Sequence, residues 1–314
     1  MSIAPVVVTF LDADSLAHPL NFDDLAQVDF RRWPTTSPQQ VAERIADADV
    51  VIVNKVRLTA ELIAQAPRLK LICVSAAGMD NVDQAAARAR GIPVRNAPGY
   101  GDDAVAEHVI AVTLALRRSL LDYARAATDG RWSASPFFCW YGPPVRDLAG
   151  SVMGIVGRGR IGEATARLAR GLGMQVRYAQ RDDADTRPDG LPLDTLLAEA
   201  DVLSLHVPLT DDTRGLIDAR RLALMKPSAL LVNTARGALV QAQPLIDALR
   251  GGRLAGAALD VLDVEPPPPD HPLLNTGLPN LLVTPHVAWA SEAAQARLAG
   301  MVEQAVRAFV AGQA

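Results

Sequence analysis

Three polar residues each close an apolar run in the second half of the chain. They are Arg236 in "LLVNTARG", Glu265 in "AALDVLDVEP" and His286 in "LLVTPH". An imidazole titrates near neutral pH and can give or take a proton. A carboxylate beside it can hold the ring in orientation and stabilise its protonated form. A guanidinium can bind a carboxylate at two points and polarise a carbonyl. Together they could move a proton to or from an oxygen while an anionic neighbour and the charge that develops are held. The same residues also have plain readings, as a polar strand terminus for His286, a surface ion-pair residue for Arg236 and a turn residue before the proline run for Glu265. The elements that carry them decide.

Short apolar runs alternate with helical patterns along the whole chain. "PVVVTFL", "DVVIVNK", "LKLICVSA" and "GIPVRNA" form a first strand set; "SVMGIVG", "MQVRYA", "DVLSLHVP", "ALLVNTA", "LAGAALDVL" and "NLLVTPH" form a second. The intervening segments are rich in Ala, Leu and Arg at helical spacing, including one long helix from about Asp103 through "AVAEHVIAVTLALRRSLLDYARAA". Such alternation predicts parallel sheets with helices on both faces. The fold class is therefore α/β, with two Rossmann-like parallel-sheet domains and a cleft between them. In a parallel sheet the carboxyl ends of the strands share one edge, so Arg236, Glu265 and His286 can converge there. "NAPGYGDDAV" and "DLAGSVMG" mark the glycine-bearing boundaries, and Asp102 or Asp103 can cap the long helix.

A hydride source is written into "SVMGIVGRGRIGEATARLARGLGMQVRYAQ". Gly157-x-Gly159-x-x-Gly162 follows a strand, opens a helix and leads to a second strand, the context that distinguishes a dinucleotide fold from a chance glycine pattern. Gly157 allows a tight turn, Gly159 a close approach to a pyrophosphate, and Gly162 close helix–strand packing. Arg158, Arg160 and Ile161 sit within the turn, whose helix N-terminus offers unpaired N–H groups to an anion. The strand that follows ends in Gln180 and Arg181, with carboxylates only later, at Asp182 and Asp183. The NAD form usually has an acid at that end, which repels a 2′-phosphate; Gln and Arg can receive one. NADP is therefore expected over NAD.

The bulk numbers exclude several classes. The 314 residues fit two modest domains, and 49% of them are apolar with only 4% aromatic, a core of Ala, Val and Leu. The net charge of −4 is spread along the chain without a basic patch, so a nucleic-acid partner is not expected. No apolar run approaches the roughly 20 residues needed to span a bilayer. Cys73 and Cys139 have no metal or redox spacing and read as free thiols of a cytoplasmic protein. No ligand cluster for a metal is present.

Four ordered blocks carry a resemblance: "GIVGRGRIGEATARLARGLG", "LHVPLTDDTRGLIDARRLALMKPSALLVNTARGALV", "LAGAALDVLDVEPPPPDHPLL" and "NLLVTPHVAWAS". Through them the chain resembles the D-isomer-specific 2-hydroxyacid dehydrogenases over essentially its whole length. "NAPGYGDDAVAEHV" and "WSASPFFCWYGPPVRDLAG" look most like the glycerate dehydrogenases, also called hydroxypyruvate reductases. The resemblance implies a discontinuous substrate domain (1–98 and 287–314), an inserted NAD(P)-binding domain (99–286) and a homodimer. It assigns Arg236, Glu265 and His286 as the catalytic set. It implies hydroxypyruvate or glyoxylate as substrate, with another D-2-hydroxyacid such as D-lactate, or a non-catalytic corepressor-like NAD(H) sensor, as alternatives.

Further residues follow from placement and resemblance together. Ala76, Ala77 and Gly78, after the third strand, can form an N–H nest for the substrate carboxylate, and Asn54 borders it. Trp140 is placed at the substrate, an aromatic reaching a partner subunit's site in related reductases. His206, Val207 and Pro208 would lie along the dinucleotide, and Thr234, Ala235 and Asp260 near its nicotinamide. His108 reads as a packed core residue, and His18 and His271 as structural. Asp102 and Ala288 stand where the family usually has threonine and glycine.

Overall fold

The computed structural model describes residues 4–182 and 184–312, so Asp183 lies outside the described residues. The chain divides into two compact units, Met1–Gly101 with Ala290–Ala314, and Asp102–Trp289.

The first unit is built on β1 (Val6–Phe10), β2 (Val28–Arg32), β3 (Val50–Val53), β4 (Leu71–Val74) and β5 (Val94–Arg95), with short helices α1 (Val41–Ile45), α2 (Ala60–Ala64) and α3 (Gln84–Ala89). All five strands are parallel in the order β2-β1-β3-β4-β5. Every residue of β3 and β4 is buried, because helices cover both faces of the central strands. Thr59 and Asp83 cap α2 and α3 by accepting from Leu62 N and Ala86 N. The edge strand β2, "VDFRR", is polar and half-buried, and for that reason its sequence did not read as a strand.

The second unit begins with α4 (Asp102–Arg117) and α5 (Leu120–Thr128), two helices where one is expected from the sequence. The break is at Ser119, whose backbone is left-handed (φ 47°). Asp102 and Asp103 lie inside the first turn of α4 and do not cap it from outside. There follow β6 (Val152–Val156), α6 (Arg160–Gly171), β7 (Gln175–Ala179), β8 (Gly190–Leu191), α7 (Leu193–Glu199), β9 (Val202–Leu205), α8 (Ala219–Leu224), β10 (Leu230–Asn233), α9 (Ala242–Arg250), β11 (Gly256–Leu259) and β12 (Leu281–Val283). The seven-stranded parallel sheet runs β12-β11-β10-β9-β6-β7-β8. Leu196, Leu203, Leu231, Leu239 and Leu245 pack one face without exposure; Met153, Ile155, Tyr178 and Val232 pack the other. At about 1.5–3 kcal/mol per buried large aliphatic side chain, these layers hold the strand ends in place.

The chain then returns to the first unit through α10 (Glu292–Val310), capped by Ser291 and packed on β4. Its Glu303 accepts from Asn21 N, and Arg307 pairs with Asp24.

Candidate active site

The register of the large sheet places Asn233 beside Leu259 and Leu259 beside Val283, so β10, β11 and β12 end on one row. Arg236, Asp260, Glu265 and His286 all follow that row within a few residues. Asn233 is fully buried and shapes the turn after β10: its Nδ2 donates to Arg236 O at 2.9 Å and its Oδ1 accepts from Ala235 N at 3.1 Å. Arg236 Nη1 donates to Ala235 O. Gly237 has no room for a side chain, since a Cβ there would stand 1.9 Å from Leu262 C. The Arg236 turn thus lies directly against the segment that leads to Glu265.

Glu265 and His286 meet. Oε2 of Glu265 is 2.6 Å from Nδ1 of His286, and Oε1 accepts from Leu262 N at 2.8 Å. Their side chains are 32% and 27% exposed, so the pair is neither sealed nor fully wet. With Nδ1 engaged, Nε2 is the ring atom left for a substrate. His286 itself is left-handed (φ 55°), an uncommon backbone for a non-glycine residue. Asp260 holds it there. Its main-chain oxygen accepts from His286 N, Oδ1 accepts from Val287 N, and Oδ2 from Ala288 N, each at 2.9 Å. Thr284 Oγ1 adds a 2.6 Å bond to Oδ1. A cavity of about 330 Å³ runs alongside, lined mostly by apolar groups including Leu262, Pro266, Leu274 and Pro285.

His271 is structural: buried, with Nδ1 accepting from Leu273 N and Nε2 facing Asp263 at 2.9 Å. His108 is only partly buried and its ring bonds Thr284, so it is not the simple core residue the sequence suggests.

The phosphate turn fits a dinucleotide. Gly157 is left-handed (φ 108°), and a Cβ on it would stand 2.5 Å from His206 O. A Cβ on Gly162 would stand 2.1 Å from Gly157 O. A Cβ on Gly159, by contrast, would meet nothing within 4 Å, so the backbone there faces open space. Gly159 is also the N-cap of α6 and supplies no side-chain cap, which leaves the first N–H groups of the helix available to an anion. Thr234 Oγ1, at the end of β10, is buried without a protein partner, the kind of polar atom a cofactor amide satisfies.

Around that turn the charges are already paired. Arg160 Nε lies 2.6 Å from Asp102 Oδ2, so the acid that departs from the family pattern is neutralised by the arginine beside Ile161. Arg158 stacks on Tyr178 at 4.2 Å and pairs with Glu163 at 2.7 Å, holding that carboxyl below the usual carboxylate range. Gln180 Nε2 donates to Asp185 O; Arg181 is 85% exposed and lies 3.1 Å from Asp182. Asp185, held well below the usual range by Arg187, accepts from Arg181 N. His206 Nε2 bonds Ser204 Oγ at 2.9 Å; the residue is partly exposed, yet ring burial pushes its pKa down to about 4. Val207 packs on the core, and Pro208 O accepts from Thr213.

In the first unit, Asn54 is buried, and Asp12 accepts from the N–H groups of Asn54, Lys55 and Val56. Ala76 O and Ala77 O accept from Ala97 N and Asn96 Nδ2, while the N–H groups of Ala76, Ala77 and Gly78 have no protein acceptor among the described residues. Trp140 belongs to the second unit and packs at home: its ring is 5.5 Å from Tyr123 and 4.8 Å from Arg131, with Gly142 close against it. Its neighbours Phe137, Phe138 and Tyr141 are exposed. Sequence reasoning missed Asn233, Gly237 and Thr284. The glycine directly after Arg236 was the one legible signal among them.

Known proteins share this sequence and fold. Residues 110–288 match the family model of the D-isomer specific 2-hydroxyacid dehydrogenase, NAD binding domain. A glycerate dehydrogenase of Methylorubrum extorquens is 44% identical over 312 residues, covering 98% of this chain and 96% of its own. A D-lactate dehydrogenase from Aquifex aeolicus, solved with NAD and lactic acid, superposes with a TM-score of 0.82 at 29% identity, covering 98% of this chain and 96% of that one. An acyclic imino acid reductase solved with NADPH and D-Arg gives 0.84 at 27% identity and 98% coverage of both chains. The chain belongs to the D-isomer-specific 2-hydroxyacid dehydrogenase family.

Proposed function

We propose that this chain is an NAD(P)H-dependent reductase of small 2-oxoacids, converting hydroxypyruvate to D-glycerate and glyoxylate to glycolate. The observation that carries the reading is the 2.6 Å contact between Glu265 and His286 at the carboxyl edge of a dinucleotide-binding sheet. The nicotinamide, when bound, supplies the hydride. His286 donates the proton from Nε2 to the carbonyl oxygen, while Glu265 holds Nδ1–H and balances the imidazolium. Arg236 binds the substrate carboxylate and polarises the carbonyl. The N–H groups of Ala76, Ala77 and Gly78, unmet among the described residues, are further anion donors, and Asn54 belongs to the same unit. The glycerate dehydrogenase relative supports the substrate class.

The cofactor turn is Gly157, Arg158, Gly159, Arg160, Ile161 and Gly162, with His206, Val207, Pro208, Thr234 and Ala235 along the dinucleotide. Asp260 belongs to the turn that aims His286. NADPH is the preferred form, because β7 is followed by Gln180 and Arg181 where an acid would otherwise exclude a 2′-phosphate. A homodimer is supported by exposed Leu120, Leu121, Phe137, Phe138, Tyr141 and Val145, a concentration of apolar side chains on α5 and the segment after it. Two free thiols suit a reducing cytoplasm.

The test is a panel of hydroxypyruvate, glyoxylate and pyruvate assayed with NADPH and NADH. Turnover of hydroxypyruvate or glyoxylate above pyruvate, with NADPH favoured, is expected. No turnover of any 2-oxoacid removes the reading; a strong NADH preference removes the role given to Gln180 and Arg181.

A further inference from the structure

We propose that His108 is a positioning residue for His286, acting through Thr284 and the Asp260 carboxylate. The inference rests on the reading of His286 as the proton donor. His108 lies on α4, far in sequence from the turn it touches. Its Nε2 is 3.2 Å from Thr284 Oγ1.

The directions of the bonds follow from the proton count. Thr284 has one hydroxyl proton, and it lies 2.6 Å from Asp260 Oδ1, a carboxylate oxygen that also receives Val287 N. A carboxylate only accepts, so the hydroxyl donates to Asp260 and has only lone pairs left for the imidazole. His108 therefore carries its proton on Nε2 and donates it to Thr284. The chain His108 to Thr284 to Asp260 is complete, and the remaining hydrogen bonds of the Asp260 carboxylate, from Val287 N and Ala288 N, end on the turn that bears His286.

That turn needs bracing. His286 sits at φ 55°, a left-handed backbone that brings an L-residue's Cβ too close to the following carbonyl. Asp260 is buried, its side chain 1% exposed, and among the described residues the basic nitrogen within ion-pair distance of it is His108 Nε2, 3.9 Å away. Without His108, a threonine lone pair is left unmet, and Thr284 can change rotamer and release Oδ1. The ring of His286 then loses its aim, although Glu265 and the cofactor turn are untouched.

The experiment compares His108→Leu with His108→Gln, whose amide nitrogen stands at nearly the reach of Nε2, in the full chain. His108→Leu is expected to lower kcat about tenfold, the worth of one structured hydrogen bond. KM and the NADPH dissociation constant read by nicotinamide fluorescence should stay unchanged. His108→Gln should restore most of the loss. Thr284→Val should cost about as much as His108→Leu, and the double variant no more than either single one. Imidazole NMR of the protein should show the His286 resonances displaced in His108→Leu and restored in His108→Gln. This readout needs no turnover, so it tests the brace even if the oxoacid panel fails. The proposal is overturned by unmoved His286 resonances in His108→Leu, by a glutamine no better than leucine, or by additive losses in the double variant.

Discussion

Glu265 bridges an imidazole and a backbone amide: Oε2 lies 2.6 Å from His286 Nδ1 while Oε1 accepts from Leu262 N at 2.8 Å. The carboxylate is therefore anchored by its own loop before it touches the imidazole. A freely rotating glutamate would orient the ring poorly. This one has a single arrangement in which both oxygens are used.

Replacement of His286 by Ala should lower kcat for 2-oxoacid reduction by about 10²–10⁴. The NADPH dissociation constant should barely change, because the phosphate turn is built elsewhere. Glu265→Gln should cost less, about 10–100-fold, since an amide can still accept from Leu262 N and face the ring but cannot balance its charge. Steady-state kinetics with cofactor titration check both. Near-normal turnover in His286→Ala would remove it as the acid.

Two glycines of the phosphate turn should fail in different ways. Gly162→Ala forces a Cβ to within 2.1 Å of Gly157 O, so the turn or the helix must shift, and urea unfolding should show a loss of about 1–3 kcal/mol or more. Gly159→Ala meets no protein atom and should leave stability nearly unchanged. It should weaken NADPH binding instead, because the methyl enters space that a pyrophosphate uses. Equal stability losses in the two variants would refute the assignment.

His206 links stability to acid. Burial lowers its folded-state pKa from 6.5 to about 4. Between those values the unfolded chain binds more protons than the folded one, so stability falls as pH drops through that window. The full effect is up to about 3 kcal/mol by linkage. Unfolding free energies near pH 7 and near pH 5 should therefore converge in His206→Gln relative to the parent protein. A parallel acid loss in both would exclude His206 as its source.

The two thiols should separate cleanly under alkylation. Burial pushes Cys73 up to about 12 against a weaker opposing pull from Arg95, while Cys139 is partly exposed. Iodoacetamide on the folded protein should modify Cys139 alone, with Cys73 reacting only in denaturant. Peptide mass analysis reads the outcome.

Much of the fold was legible because strands buried on both faces are written as continuous apolar runs. β3, β4, β9 and β10 are of that kind, and β10 leads to Arg236; β12, which leads to His286, is an equally apolar run but only half-buried. The polar β2 and the two-residue β8 carry no such run and were not legible. Nor were the short helices α3, α7 and α8. The division of α4 from α5 turns on the φ of a single serine, which no composition announces. Within the site, residue types at strand ends could be read from sequence. The second carboxylate's part could not: Asp260 spends its oxygens on the turn of His286, a matter of three-dimensional satisfaction alone. Trp140 shows the same limit, since its partners Tyr123 and Arg131 are visible only once the segment is folded.

Arg236, Glu265 and His286 all belong to the unit Asp102–Trp289, whereas the N–H groups of Ala76, Ala77 and Gly78 belong to the other. The three side chains that the proposed function uses are thus inherited as one block. Substitutions in the loop of Ala76, Ala77 and Gly78 fall in a separately folded body and leave the strand ends that hold Arg236, Glu265 and His286 intact. The two sets of residues are separately mutable in this architecture.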